Sequence, residues 1–203
     1  MLTLYDYLDS GNGYKVRLLL SHLEMPYKHV ELDIDKGETR TPQFLAKNPN
    51  GRIPALELPD GTVLAESNAI LFYLAEGTPY LPFDRLGRAQ VLQWMFFEQY
   101  SHEPNIATVR YWIKHKSPMS PFIEAAMPLK RKAGYAALDV MELHLKRRDF
   151  FVADRYSIAD IALYAYTHVA HEVDFDFKPY PAIRAWMDLV ALQENHIGIY
   201  QKP

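Results

Sequence analysis

Asn48-Pro49-Asn50-Gly51-Arg52-Ile53-Pro54-Ala55-Leu56-Glu57-Leu58, followed at Glu66 by Glu66-Ser67-Asn68-Ala69-Ile70, joins a turn, an extended segment and a helix start in one short span. Asn-Pro-Asn-Gly composes the turn, and Gly51 can take the positive φ that side chains disfavour. Ile53 precedes a proline and is biased to extended geometry; if the Ile53-Pro54 bond is cis, the N–H and C=O of Ile53 can face outward and pair with a ligand's own backbone. Glu66 and Ser67 stand before an apolar run, where the first N–H groups of a helix and its dipole attract a carboxylate. These pieces suit capture of a small peptide, one end strand-paired and the other held by charge.

On the N-terminal side of that span, Leu2 to Tyr7 reads as a strand, Tyr14 to Leu23 as a helix with Val16, Leu19, Leu20 and Leu23 on one face, and Tyr27 to Asp33 as a second strand. A short helix follows Pro42 and carries Phe44 and Leu45 inward. Ala55 to Leu58 and Thr62 to Leu64 flank Pro59-Asp60-Gly61, a hairpin turn by composition, and Glu66 to Glu76 closes the unit as a helix. The order is β-α-β-α-β-β-α, a mixed sheet with helices on its faces.

On the C-terminal side, Gly77-Thr78-Pro79-Tyr80-Leu81-Pro82 marks the domain boundary, and no convincing strand follows it. A helix capped by Asp84 runs through Ala89, Leu92, Phe96, Phe97 and Tyr100 until Pro104 bends or interrupts it, and Ser117-Pro118-Met119-Ser120-Pro121 ends it. Ile123 to Lys146, Ile158 to His171 and Tyr180 to Leu192 read as further helices. The expected class is α/β plus all-α: residues 1–77 form the mixed domain, 78–84 a linker and 85–203 an all-α bundle.

The chain of 203 residues and 23.5 kDa, 49% hydrophobic, can build a sizeable core. Its net charge of -3 comes from interspersed residues, which argues against nucleic acid or an anionic membrane as partner. No apolar run approaches the roughly 20 residues of a bilayer span, and Met1 to Asp6 lacks the basic and apolar regions of a leader, so the expected location is the cytoplasm. The absence of cysteine removes disulfides, thiolate ligands and a protein thiol nucleophile, so sulfur chemistry would have to use a ligand's sulfur. Eight histidines without HExxH or comparable pairing give no support for a metal.

Asn-Pro-x-Gly-x-Ile-Pro, Glu-Ser-x-Ala-Ile and the later Ser157-Ile158-Ala159-Asp160 fall in the order and spacing of one family, and over essentially the whole chain the sequence resembles the cytosolic glutathione transferases. It is most similar to bacterial members with Ser or Thr, then Asn two residues later, in the loop after the first strand; here that loop is Ser10-Gly11-Asn12-Gly13-Tyr14-Lys15. The resemblance implies a thioredoxin-like first domain, a cis Ile53-Pro54 bond, glutathione bound through the backbone of Ile53, and its γ-glutamyl end held at Glu66 and Ser67. It places Arg52 and Thr39 near the glycyl end, although Arg52 also reads as a solvated turn residue and Thr39 as a helix cap. It further implies a twofold homodimer, to which Phe72, Tyr73 and the segment Trp94 to Tyr100 are candidate contributors.

A glutathione thiol resembles free cysteine, with a pKa near roughly 8.5, so an enzyme gains by stabilising its anion. Ser10 can donate its hydroxyl to the sulfur while the following helix adds a favourable field, and Asn12 can donate a second bond. A shift of two units needs about 2.7 kcal/mol, within reach of two charge-assisted hydrogen bonds. The plain alternative is that Ser10 and Asn12 merely shape a turn. Tyr7, at the end of the first strand, is a rival donor, so the order is Ser10, Asn12, Tyr7. Leu8, Tyr100, His102, Tyr111 and Tyr164 are candidate walls for an electrophile in a cleft between the domains, although each also reads as core or interface.

Ser157-Ile158-Ala159-Asp160 fits a capping box, so both polar residues belong to folding, at about 1 to 2 kcal/mol each. The functional expectation is a glutathione transferase that activates the thiol for attack on an electrophilic small molecule, disulfide or peroxide, with no metal. The alternative is a binding or carrier protein of the same fold without turnover. Isomerisation or dehalogenation on this fold is a third option, and the missing cysteine disfavours its cysteine-dependent versions.

Overall fold

The computed structural model describes residues 1–115 and 118–202. Ser117, where the sequence marks the end of a helix, lies outside the described residues. The chain forms two compact units, Met1–Thr78 joined by the chain from Glu194 on, and Pro79–Gln193. No helix of the described residues is long and apolar enough to cross a membrane.

In the first unit, strands β1 (Leu2–Asp6), β2 (Tyr27–Glu31), β3 (Ala55–Glu57) and β4 (Val63–Ala65) make one four-stranded sheet in the order β2-β1-β3-β4. β1 pairs parallel with β2, and antiparallel pairings join β1 to β3 and β3 to β4. Helices α1 (Gly11–His22), α2 (Pro42–Leu45) and α3 (Ser67–Leu74) complete the expected order. The sheet's central position is read from burial: Leu4, Leu56, Val16, Leu19, Leu20, Ile70 and Leu71 are all fully buried. In α2, Phe44 points into this core whereas Leu45 is only half-buried.

Helix α1 begins three residues before the periodicity places it. Glycines at 11 and 13 read as loop, yet Ser10 caps the helix, its Oγ accepting from the Gly13 N–H at 3.3 Å. The reason is a long-range contact: a Cβ on Gly13 would lie 1.4 Å from Asp6 Oδ1, so only a bare Cα lets the helix start against the end of β1. Asp6 is wholly buried and accepts from Arg17 Nε at 2.8 Å. Alanine ordinarily strengthens a helix interior by about 1 kcal/mol over glycine, but Gly13→Ala must displace this buried ion pair, and a loss of about 3 kcal/mol is expected in urea unfolding. A variant as stable as the parent would refute that account of the helix start.

Arg17 also explains why the last residues leave the helical half, in which the sequence reading places them. Its guanidinium donates to the carbonyls of Leu8 at 2.7 Å and Ile199 at 2.8 Å. Tyr14 Oη donates to the Ile197 carbonyl at 2.7 Å, Ser21 Oγ to that of Asn195 at 2.8 Å, and His22 Nδ1 lies 2.7 Å from that of Glu194. One face of α1 thus binds an irregular tail that has no periodicity to announce its destination.

The second unit contains helices α4 (Arg85–Phe97), α5 (Glu103–Lys114), α6 (Pro121–Leu145), α7 (Ile158–Thr167) and α8 (Pro181–Ala191). Asp84 caps α4 as expected, accepting from Gly87 N at 2.8 Å, and Ser120 caps α6. Pro104 sits in the first turn of α5, separated from α4 by a π-helical turn over Glu98–His102. The expected 78–84 linker is instead largely part of this unit, because Leu81 is buried and the Tyr80 carbonyl accepts from Ile158 N at 3.0 Å. Helix α7 stops four residues earlier than the pattern suggests, and a 3-10 turn at Ala170–Val173 replaces its last turn. Thr167 Oγ1 donates back to the Leu163 carbonyl at 2.7 Å, a local bond that competes with helix propagation.

Candidate functional site

The turn after α2 is built by its own side chains. Asn48 is buried, its Oδ1 accepting from Asn50 N at 3.2 Å and its Nδ2 donating to the Arg52 carbonyl at 2.8 Å. Gly51 has φ of +61°, the left-handed region that favours glycine, and a Cβ there would also displace the guanidinium of Arg40. Arg40 braces the turn by donating to the Asn50 carbonyl at 3.0 Å, a role the sequence reading did not assign, while Arg52 points to solvent. Thr39 is buried in a 3-10 turn, and Thr41, not Thr39, caps α2.

The Ile53-Pro54 bond is cis. Among the described residues the Ile53 N–H and C=O take no hydrogen bond, in a segment that runs directly into β3. At the far end of the hairpin, Glu66 holds φ of +68° and ψ of 114°, an uncommon conformation for a side chain, and its carboxylate does not cap α3. Strained backbone of this kind persists where surrounding structure over-determines it, commonly at ligand sites. The first turn of α3 carries no acidic side chain, so its N–H groups present an uncompensated positive end.

Ser67 opens α3 and is buried. Its Oγ donates to Asn12 Oδ1 at 3.2 Å and accepts from Lys15 Nζ at 3.4 Å. This cluster ties the start of α1 to the start of α3, and so the Ser10 loop to the Glu66-Ser67 corner. It also alters two expectations. Asn12 lies inside the first turn of α1 rather than in a loop, and its Oδ1 accepts the Ser67 proton, so the Ser67 hydroxyl is already engaged. Lys15, wholly buried, escaped the sequence reading because a lysine at helical spacing looks like surface.

Ser10 accepts the cap bond from Gly13, while among the described residues its hydroxyl donates to nothing. One lone pair is used and the proton is available, at the positive end of a helix. Tyr7 differs: burial first, then Asp35, Asp33, Asp9 and Glu31, push its phenol above the usual value. An anion beside it would face the same carboxylates, which favours Ser10 over Tyr7 as a thiolate donor.

The five proposed wall residues do not share an environment. Leu8 is half-buried in the β1–α1 loop, where its carbonyl accepts from Arg17. Tyr100 is 87% exposed in the π-helical turn, and Tyr111 on α5 is exposed and stacked on His115 at 4.4 Å. His102 is wholly buried and presents nothing at the surface; since Thr167 donates its own proton to Leu163, His102 Nε2 donates to Thr167 Oγ1 at 2.9 Å. Its i, i+4 relation to buried Glu98 puts both on the inner face, which is why a pattern that suits a ligand group here belongs to the core. Tyr164 is also buried, stacked on His168, and burial pushes its phenol up to about 12.

Comparison with known proteins bears on this geometry. Residues 1–76 match the family model "Glutathione S-transferase, N-terminal domain", and residues 108–194 match "Glutathione S-transferase, C-terminal domain". The structure of a glutathione S-transferase from Pseudomonas fluorescens superimposes with a TM-score of 0.95 at 50% identity, covering 98% of this chain and 99% of that one. A structure of Ure2p in complex with glutathione gives 0.87 at 27% identity, covering 96% and 95%. Among curated relatives, the disulfide-bond oxidoreductase YfcG of Escherichia coli is 30% identical over 94% of this chain and 90% of its own. Protein URE2 of Eremothecium gossypii is 30% identical over 91% of this chain, which spans 63% of that protein's length.

Proposed function

The chain belongs to the glutathione S-transferase family, and from that premise we propose that it is a glutathione transferase whose Ser10 hydroxyl stabilises the glutathione thiolate. The observation that carries the reading is the undonated Ser10 proton at the α1 N-terminus, joined through Asn12 to Ser67 at the α3 N-terminus. The peptide backbone pairs with Ile53, the γ-glutamyl carboxylate takes the α3 N–H groups, and Glu66 faces the adjacent ammonium. Ser10 donates and does not abstract: its hydroxyl keeps its proton and lowers the free energy of the anion. Asn12 uses its Oδ1 to hold the corner through Ser67, and its NH2 is the second donor to the sulfur in this reading.

The thiolate then attacks carbon, oxygen or sulfur in the second substrate. The name of the Escherichia coli relative favours a disulfide. In that case one S–S bond breaks as glutathione forms a mixed disulfide and the other half leaves as a thiolate. Because the chain has no cysteine, any resolving thiol is a second glutathione. The same proposal includes a homodimer in the cytoplasm; the exposed Tyr73, Phe96 and Tyr100 are consistent with association, whereas Trp94 is core.

Titration of the protein with glutathione near neutral pH is expected to raise ultraviolet thiolate absorbance in proportion to occupancy. Aryl halide, hydroperoxide and small disulfide substrates then identify the electrophile. Saturable binding with no thiolate signal and no turnover would replace the transferase with a carrier.

A further inference from the structure

Arg17 and Asp6 are both wholly buried, and the guanidinium reaches the end of β1, the loop before α1 and the C-terminal tail together. Nε donates to Asp6 Oδ2 at 2.8 Å, Nη2 to the Leu8 carbonyl at 2.7 Å and Nη1 to the Ile199 carbonyl at 2.8 Å. The Leu8 bond bears on the chemistry. Ser10 N donates to the Tyr7 carbonyl at 2.8 Å, so Tyr7 to Ser10 form a β-turn with Leu8 and Asp9 at its centre. Types I and II of such a turn differ by a flip of the central peptide, whose oxygen is here the Leu8 carbonyl, and the turn's own hydrogen bond does not hold that oxygen. Arg17 does.

Resting on the glutathione reading above, we propose that Arg17 is a positioning residue for thiolate stabilisation, acting through Ser10. By pinning the Leu8 carbonyl it selects one orientation of the Leu8-Asp9 peptide. The chain then enters α1 with Ser10 in the pose that caps Gly13 and leaves the hydroxyl proton to the sulfur. A planar fork is needed for this: Asp6 fixes one edge of the guanidinium and the tail carbonyl fixes a far corner, so Nη2 has a single direction to point. Stability alone gives little reason for the arrangement, because apolar side chains of similar volume commonly serve as well as a buried ion pair. The tail residues thereby belong to the thiol-activating apparatus, although they act only through Arg17.

The test is the pH profile of Arg17→Lys. Lysine keeps the charge opposite Asp6 but offers one compact ammonium that cannot reach Leu8 and Ile199 together. The bound glutathione thiol, followed by ultraviolet absorbance, is expected to rise in pKa by about one unit, and turnover measured below the parent's thiol pKa to fall about tenfold. Glutathione affinity measured in the same acidic range should stay within about twofold. The deficit should close as pH passes the variant's thiol pKa, a recovery that general loosening of the fold does not produce. In a Ser10→Ala background the lysine substitution should add nothing to the thiol pKa, since the group it positions is gone.

An unshifted thiol pKa in Arg17→Lys overturns the proposal, as does a shift that adds in full to that of Ser10→Ala. Should the lysine variant fail to fold, Asp6→Asn with Arg17→Gln removes both charges together, which a buried pair tolerates better than the loss of one. The glutamine amide ends where Nε stood, so it keeps the bond to residue 6 and falls short of Leu8 and Ile199; an unshifted thiol pKa there is equally fatal. Failure of the parent to bind glutathione at millimolar concentration, or a thiol pKa indifferent to Ser10→Ala, would refute the underlying reading, a result distinct from either.

Discussion

Ser10→Ala lowers kcat/KM for glutathione-dependent turnover by about 100-fold, the scale seen when one donor to a developing anion is removed. The bound thiol's pKa should rise by about one to two units, because a charge-assisted hydrogen bond contributes about 1.5 to 3 kcal/mol. Glutathione affinity measured below the thiol's pKa should change little, since the hydroxyl favours the anion. Alanine also removes the α1 cap, which costs about 1 kcal/mol of stability, so substitutions that separate the two roles are essential. Glycine at a cap costs only about a few tenths of a kcal/mol, and Ser10→Gly should lose as much activity as alanine while folding nearly as well. Ser10→Asp retains a strong cap and sets a carboxylate beside the sulfur; it should be stable and the least active of the three. Tyr7→Phe should leave both rate and thiol pKa within about twofold, given the acidic surroundings of that phenol. If only the Tyr7 change raises the thiol pKa, the assignment of Ser10 is wrong.

Asp160→Asn is expected to destabilise the protein by about 3 kcal/mol at neutral pH without altering the thiol chemistry. The capping box is present as the sequence indicates, with Ser157 N donating to Asp160 Oδ2 at 2.9 Å. The sequence-level estimate of about 1 to 2 kcal/mol counts only that cap. The folded chain adds Phe151 N at 3.1 Å and Trp186 Nε1 at 3.0 Å, both donating to Oδ1, and Ser157 Oγ at 3.1 Å on Oδ2. Both carboxylate oxygens thus face donors, and either orientation of an asparagine turns its NH2 toward one pair of them. The carboxyl bonds the loop before α7 and the Trp186 side chain on α8 to the start of α7.

The pH dependence follows from burial, which pushes the Asp160 carboxyl up to about 6 against the pull of its four donors. A folded value above the ordinary 3.8 means that folding takes up a proton between those limits. Its contribution is therefore largest below 3.8, declines as pH rises toward 6 and is constant above. At about 1.4 kcal/mol per unit, the decline amounts to about 3 kcal/mol. Urea unfolding of parent and Asn variant from acid to neutral pH should show the parent's advantage narrowing over that window. An advantage that widens as pH rises would contradict the assignment.

How far the sequence alone reached is clearest at Ser10. Its residue type and neighbourhood marked it as a donor near a helix start, but glycines on either side of Asn12 obscured where the helix begins. That start depends on the Asp6 carboxylate meeting a bare Gly13 Cα, a contact between strand and helix that neither segment announces. His102 failed for a related reason. A histidine beside an exposed tyrosine before a proline reads as a surface feature until the π-helical turn places it against Thr167.

Local chemistry therefore determined the order of elements, the glycine turn before Ile53, the proline breaks and the α7 capping box, since each depends on a few adjacent residues and their backbone preferences. Tertiary structure alone decided that Asn12, Lys15 and Ser67 share one bonded cluster, that the final residues return to α1, and that Asp160 holds three segments together. Those partners lie from 26 to 182 residues away. Periodicity shows which face of an element is buried; which distant polar group meets it is settled only when packing removes water and each donor must find an acceptor.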